Sequence, residues 1–319
     1  MKLWQRISIP RLIVQFAWLI FANAMLFGLP SFGSVPWLRN VYFPDATTKF
    51  FQNAPTYSLV YKLQDTLEGG FATYYMDLLI PFLIFLVLVL LLGRFWCAWL
   101  CPLGLPQDLL TRFRRSVRIK RVELPPSWSV FLHQMKYLGL LLILFYTFAL
   151  GFPFLGLSAF RTDLAIPYEQ LDPNRAMYVY PQILIGILPP NTFVPVLSIL
   201  TFGFFLMTCF PIRRFWCHIC PAGAMMAPLN RYALIHLRKD NSRCTHCGVC
   251  ARVCPMEIRK VYEEREEENV SVAECVHCYR CVESCPEVGC LGVSVLGKVV
   301  LKSKPSNEKL PIEKEGVAA

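Results

Sequence analysis

The chain has 319 residues, is 55% hydrophobic and 17% charged, and has a mean hydropathy of +0.43, which is more apolar than a typical soluble domain. The net charge is +10, but the basic residues sit beside long apolar runs, which points to membrane topology and away from nucleic acid. The 14 cysteines fall at short repeated intervals, the habit of metal sites and not of a disulfide framework.

In chain order, four apolar runs reach the roughly 20 residues that cross a bilayer: about 12–29, 76–93, 130–150 and 193–210. A fifth run, Val179–Pro190, is short and ends in proline, and reads as interfacial or re-entrant. Lys2, Arg6 and Arg11 lie at the N-terminal tip, Arg112, Arg114, Arg115, Arg118, Lys120 and Arg121 follow the second run, and Arg231, Arg238, Lys239 and Arg243 follow the fourth. By the positive-inside rule this is a multi-pass protein of the cell inner membrane with both termini cytoplasmic. Ala22-Asn23-Ala24 looks like a signal-peptide cleavage site, but loss of the first run would break an internal symmetry.

That symmetry is a repeat. Each half reads as a helix out, a loop, a helix back, and then the string RFWC, at Arg94–Cys97 and at Arg214–Cys217. Each string continues to a second Cys, a Pro and a Gly: Cys101, Pro102 and Gly104, then Cys220, Pro221 and Gly223. Two in-phase halves suggest a parallel repeat about an axis along the membrane normal. Arg94 and Arg214 read as side chains snorkelling to headgroups, and Trp96, Trp99 and Trp216 as interfacial anchors. On a helix Cys97 and Cys101 share a face, as do Cys217 and Cys220, so the four thiols can converge near the axis. Three roles stay open for them: a further metal or iron–sulfur centre, redox-active dithiols, or packing. Cys209 reads as a buried residue.

Beyond about residue 240 the composition changes. Residues 244–255 read CTHCGVCARVCP and residues 275–286 read CVHCYRCVESCP. Both are C-x2-C-x2-C-x3-C-P, the bacterial ferredoxin spacing, in which the fourth Cys serves the other cluster. This predicts one [4Fe-4S] cluster on Cys244, Cys247, Cys250 and Cys285, and a second on Cys275, Cys278, Cys281 and Cys254. His246 and His277 read as surface residues or sulfur hydrogen-bond donors, Cys290 as core packing, and the acidic run Glu263–Glu268 as a solvated face. The expected fold is therefore an all-α membrane bundle of four transmembrane helices, in two pseudo-repeated hairpins, followed by an α+β two-cluster ferredoxin domain. The boundaries are 1–240 for the membrane domain, 241–302 for the ferredoxin and 303–319 for a flexible tail. The His residues at 133, 218, 236, 246 and 277 offer no mid-membrane pair, which leaves out bis-His haem. No phosphate-binding or dinucleotide-binding glycine motif is present.

The Cys-Pro motifs at 97–102 and 217–221 together with the paired ferredoxin motifs resemble the NapH-type membrane ferredoxins and the iron–sulfur membrane parts of NosR-like proteins, over about residues 12–295. One departure is that Cys217–Pro221 is C-x2-C-P where the family has C-x3-C-P. The resemblance implies a quinol dehydrogenase component that works within a complex, passing electrons between the membrane quinone pool and a partner redox protein or reductase subunit. Two other readings stand beside it. One is a copper reductase similar to the CcoG-like proteins, although the further C-terminal domain of that group has no counterpart here. The other is a non-catalytic redox scaffold.

Overall fold

The structure, a computed structural model, describes residues 7–22, 63, 67, 71–101, 103–122, 124–151 and 196–304. The expected segment Val179–Pro190, the outward loops, and the tail beyond residue 304 lie outside these residues. Helix α1 is Ser8–Ala22 and α2 is Phe71–Leu92; α3 (Phe95–Trp99) and α4 (Gly104–Ser116) follow the first RFWC string. Helix α5 is Pro126–Gly151 and α6 is Val196–Cys209; α7 (Phe215–Ile219) and α8 (Pro221–Asn230) follow the second string. The C-terminal part contains β1 (Ile235–Lys239), α9 (Val249–Val253), α10 (Lys260–Glu263), α11 (Arg280–Ser284), β2 (Leu291–Val295) and β3 (Lys298–Lys302).

The bundle of four spanning helices is not what forms. Among the described residues one stretch, Ser127–Ala149 in α5, is long and apolar enough to cross a membrane, and only 11% of it is buried. The apolar stretches Phe82–Leu92 in α2 and Ile199–Cys209 in α6 are shorter than the roughly 20 residues a bilayer requires. Helix α1 has 15 residues, and two of them, Arg11 and Gln15, are buried against the carboxylate of Asp108. One face of this helix, with Arg11 and Gln15, is thus committed to a protein-buried polar network, while Ile13 and Phe16 remain exposed on another.

The repeat itself is visible in the packing. In each half a short helix carrying the RFWC sequence is followed by a second helix, α3 then α4 and α7 then α8. Pro221 starts α8 at its first turn, where proline's missing N–H costs nothing. Helices α7 and α8 pack on α5, while α1 packs on α3 and α4.

The C-terminal sheet has the order β1-β2-β3 and is antiparallel throughout, with Leu237 opposite Val293 and Val293 opposite Leu301. Leu296 and Gly297 form the two-residue β2–β3 turn, and both have positive φ (50° and 79°), as a type I′ hairpin requires. One hydrophobic core runs from this unit into the first: Leu237, Val276, Val282 and Leu291 share it with Ala98 and Cys217. The ferredoxin part is therefore seated directly on the RFWC helices.

Candidate iron–sulfur sites

The two ferredoxin loops have the same backbone. His246 and His277 both have φ of 51°, and the residues two further on, Gly248 and Tyr279, have φ of 71° and 55°. Paired left-handed residues curl each Cys loop tightly and turn amide N–H groups inward, a shape that suits an anionic cluster. Each loop then enters a short helix, α9 or α11, which ends just before the fourth Cys.

Two pockets follow from this geometry. One, of about 350 Å³, is lined by Cys244, Cys247, Cys250 and Cys285, with Cys290 also in its wall. The other, of about 440 Å³, is lined by Cys254, Cys275, Cys278 and Cys281, together with Cys250. The structure thus brings Cys285 to the first loop and Cys254 to the second. All the described cysteines are free thiols, and no three His, Cys, Asp or Glu among the described residues close on a single ion. Four sulfurs spread around a cavity fit a cubane, in which each thiolate binds its own iron. When bound, such a cluster supplies a one-electron carrier. Burial pushes the thiols of Cys254 and Cys275 up to about 12 and that of Cys250 up to about 11.

The histidines divide. His246 Nδ1 lies 3.8 Å from the Cys244 sulfur. His277 is not a surface residue: it is fully buried beside the ring of Tyr279, with Nδ1 3.3 Å from the Tyr279 hydroxyl. Cys290 is buried, as expected, but borders the first pocket. The acidic run is solvent-facing, with Glu267 and Glu268 in surface pairs with Arg231, Lys260 and Arg238.

Of the second set of cysteines, Cys97 and Cys217 pack on one core, and burial pushes Cys220 up to about 12 and Cys101 well above its usual range. The two arginines beside them do not snorkel: Arg94 and Arg214 are each 1% exposed. A Cβ on Gly223 of the second half would stand 2.5 Å from Arg94 Nη2, so Gly223 admits the arginine of the first half; a Cβ on Gly104 of the first half would stand at ordinary contact distance, 3.4 Å, from Arg214 Nη2. Arg214 Nη1 also donates to the Cys97 carbonyl at 3.1 Å.

The tryptophans are half-buried and each meets another aromatic ring. Trp99 stacks on Phe95 at 4.9 Å, Trp96 meets Trp18 edge-on at 5.5 Å, and Trp216 meets Phe205 at 5.9 Å. His133 and His218 stack in parallel, 4.8 Å apart.

The second Cys set abuts the second ferredoxin motif. Trp99 Nε1 donates to the His277 carbonyl (3.1 Å), Arg94 Nη1 to the Ala273 carbonyl (3.0 Å), and Asn230 Nδ2 to the Val272 and Cys275 carbonyls (2.7 and 2.9 Å). Asp108, which sequence patterns did not single out, is the hub beneath. Its buried carboxylate accepts from Arg214 Nη2 at 2.7 Å, Arg11 Nη2 at 3.1 Å and Arg280 Nη2 at 3.5 Å. Those three guanidiniums hold the Asp108 carboxyl far below its ordinary value against the opposing effect of burial. The Gly after the second Cys-Pro was the available clue to the Arg94 seat; nothing local marks Asp108.

A family profile described as a 4Fe-4S binding domain matches residues 76–120 and 193–242, and one described as a 4Fe-4S dicluster domain matches 236–286. The two parts of the first match contain the two RFWC stretches. YccM of Escherichia coli is 29% identical over 66% of this chain, NosR of Pseudomonas aeruginosa, a regulatory protein, 27% over 70%, and NapH of Escherichia coli, a ferredoxin-type protein, 27% over 61%. The chain spans about half the length of YccM (54%), 28% of NosR and 60% of NapH. No solved structure matches the chain. Taken with the paired Cys loops, these matches give the chain 4Fe-4S binding stretches and make it similar to ferredoxin-type proteins such as NapH.

Proposed function

We propose that the chain relays electrons at a membrane between the quinone pool and a partner redox protein, using two [4Fe-4S] clusters in the ferredoxin motifs and a third at Cys97, Cys101, Cys217 and Cys220. The ligands of the first two are Cys244, Cys247, Cys250 and Cys285, and Cys275, Cys278, Cys281 and Cys254. The observation that carries the third site is the packing of Cys97 and Cys217 on one core, with Arg94 of the first half against Gly223 of the second and Trp99 bonded to the second ferredoxin loop. The profile named for 4Fe-4S binding, matched on both of those stretches, supports it further. The three ligand sets then form a series: the RFWC site touches the second motif, and the second pocket shares Cys250 with the first. Cys247 is exposed, which suits the first motif to an outside partner.

Membrane attachment is read from the Ser127–Ala149 stretch, most of which the chain leaves uncovered. Quinone as the redox mate is supported by the likeness to NapH-type proteins. The test is anaerobic reconstitution into liposomes containing a quinol. Reduction of the clusters by quinol, followed spectroscopically and dependent on liposome incorporation, is expected. Clusters that remain oxidised with quinol and yet respond to dithionite would remove the quinone from the scheme.

A further inference from the structure

This inference rests on the reading of Cys97, Cys101, Cys217 and Cys220 as ligands of a third [4Fe-4S] centre. We propose that Arg94 is the fixed counter-charge of that centre, and that its buried guanidinium raises the centre's reduction potential.

Arg94 is 1% exposed, and among the described residues no carboxylate pairs with it and its Nε has no hydrogen-bond partner. One of its terminal nitrogens is held by the Ala273 carbonyl, and the other fills the space that Gly223 leaves open. Arg94 leads into the helix that carries Cys97, whose N–H donates to the Arg94 carbonyl at 3.0 Å, and its Nη2 lies against Gly223, three residues after Cys220, so the guanidinium spans from one Cys pair to the other. The neighbouring cations are differently placed. Lys136 is matched by Glu274 at 3.2 Å. Arg214, the counterpart of Arg94 in the other half, is pinned by Asp108 at 2.7 Å.

A buried cation with no anion is strongly disfavoured. Neutral thiols do not relieve it. Four thiolates around an iron–sulfur core do, because the assembly carries net negative charge. One-electron reduction adds a further negative charge at the same low-dielectric place. A guanidinium fixed there stabilises the reduced form more than the oxidised form, which raises the potential. The same residue lines neither ferredoxin pocket, but through the Ala273 carbonyl it is held two residues from Cys275 of the second motif. The effect of removing it is therefore graded: largest at the third centre, smaller at the second ferredoxin cluster, and absent at the first.

The experiment is an EPR-monitored redox titration of the anaerobically purified full chain, with iron and sulfide counted in each sample. Wild type, Arg94→Lys and Arg94→Gln are compared. The expected result is about 12 irons per wild-type chain, a downward shift of the third-centre midpoint in Arg94→Gln, and a midpoint near that of the wild type in Arg94→Lys. If Arg94→Gln loses the third centre's iron while Arg94→Lys retains it, positive charge holds the anionic centre in place, and the proposal stands. An unshifted third-centre midpoint in Arg94→Gln overturns it. So does equal loss of iron in both variants, which would assign Arg94 a role through the shape of its guanidinium alone. A wild type with about 8 irons and only ferredoxin signals is a different failure: it removes the third centre itself.

Discussion

Replacing Asp108 by Asn keeps the shape of the side chain and removes the charge on which three guanidiniums depend. The Asp108 side chain is 3% exposed, and those of Arg11, Arg214 and Arg280 are 2%, 1% and 13% exposed. The three arginines come from α1, the turn before α7 and the helix of the second ferredoxin loop. The substitution therefore leaves two buried cations and the partly buried Arg280 without their shared anion at the junction of the two parts of the molecule. Removing one partner of a buried ion pair costs about 3–5 kcal/mol. At about 2 °C per kcal/mol for a chain of this size, the apparent melting temperature should fall by roughly 6–10 °C. Arg280→Gln provides the scale, since Arg280 is the most distant and most exposed of the three and its loss leaves Asp108 two partners; a cost of about 1 kcal/mol is expected. The assay is thermal unfolding of the cluster-loaded protein, followed by tryptophan fluorescence. A cost below about 1 kcal/mol for Asp108→Asn, or equal costs for the two variants, would refute the assignment of Asp108 as the hub.

The same carboxylate carries a pH signature. Its folded-state pKa is depressed, so its stabilising contribution is complete above the unfolded value of about 3.9 and is lost as the pH falls below it; wild type should lose stability through that window by more than Asp108→Asn does. Gly223→Ala should cost about 1–3 kcal/mol by overpacking, since the new methyl meets Arg94 at 2.5 Å, whereas Gly104→Ala, with its nearest contacts at 3.3 Å, should cost less than about 1 kcal/mol; a melting series orders the two. Gly93→Ala combines a φ of +60° with a 2.5 Å approach to the Asn230 side chain and should cost at least about 2 kcal/mol. Cys285→Ser should abolish the EPR signal of the first ferredoxin cluster and Cys254→Ser that of the second, the reverse of what ligation by sequence neighbours would give.

The ferredoxin cysteines were legible because cluster ligation imposes its spacing on a single loop, and the left-handed residues at His246 and His277 follow from that same loop. The RFWC strings were visible as a repeat but not as a site. Hydropathy made Arg94 and Arg214 look like headgroup anchors, whereas their partners, Gly223 and Ala273 for one and Gly104 and Asp108 for the other, lie about a hundred residues or more away. The spans failed for a related reason. Apolar composition reports burial without saying whether protein or lipid does the burying, and in α1 the buried Arg11 and Gln15 belong to a protein network. His277 was misjudged because the packing of Tyr279 and Trp99 over its loop is a tertiary contact.

The central claim is that the repeat builds a third iron–sulfur site. Its most direct test is the iron and sulfide content of the full chain, purified without oxygen, beside a Cys97→Ala/Cys217→Ala variant. The account predicts about 12 irons per chain in the wild type and about 8 in the variant, with both ferredoxin EPR signals retained. About 8 in both would contradict it, and would leave the buried Arg94 and Arg214 as packing between the halves.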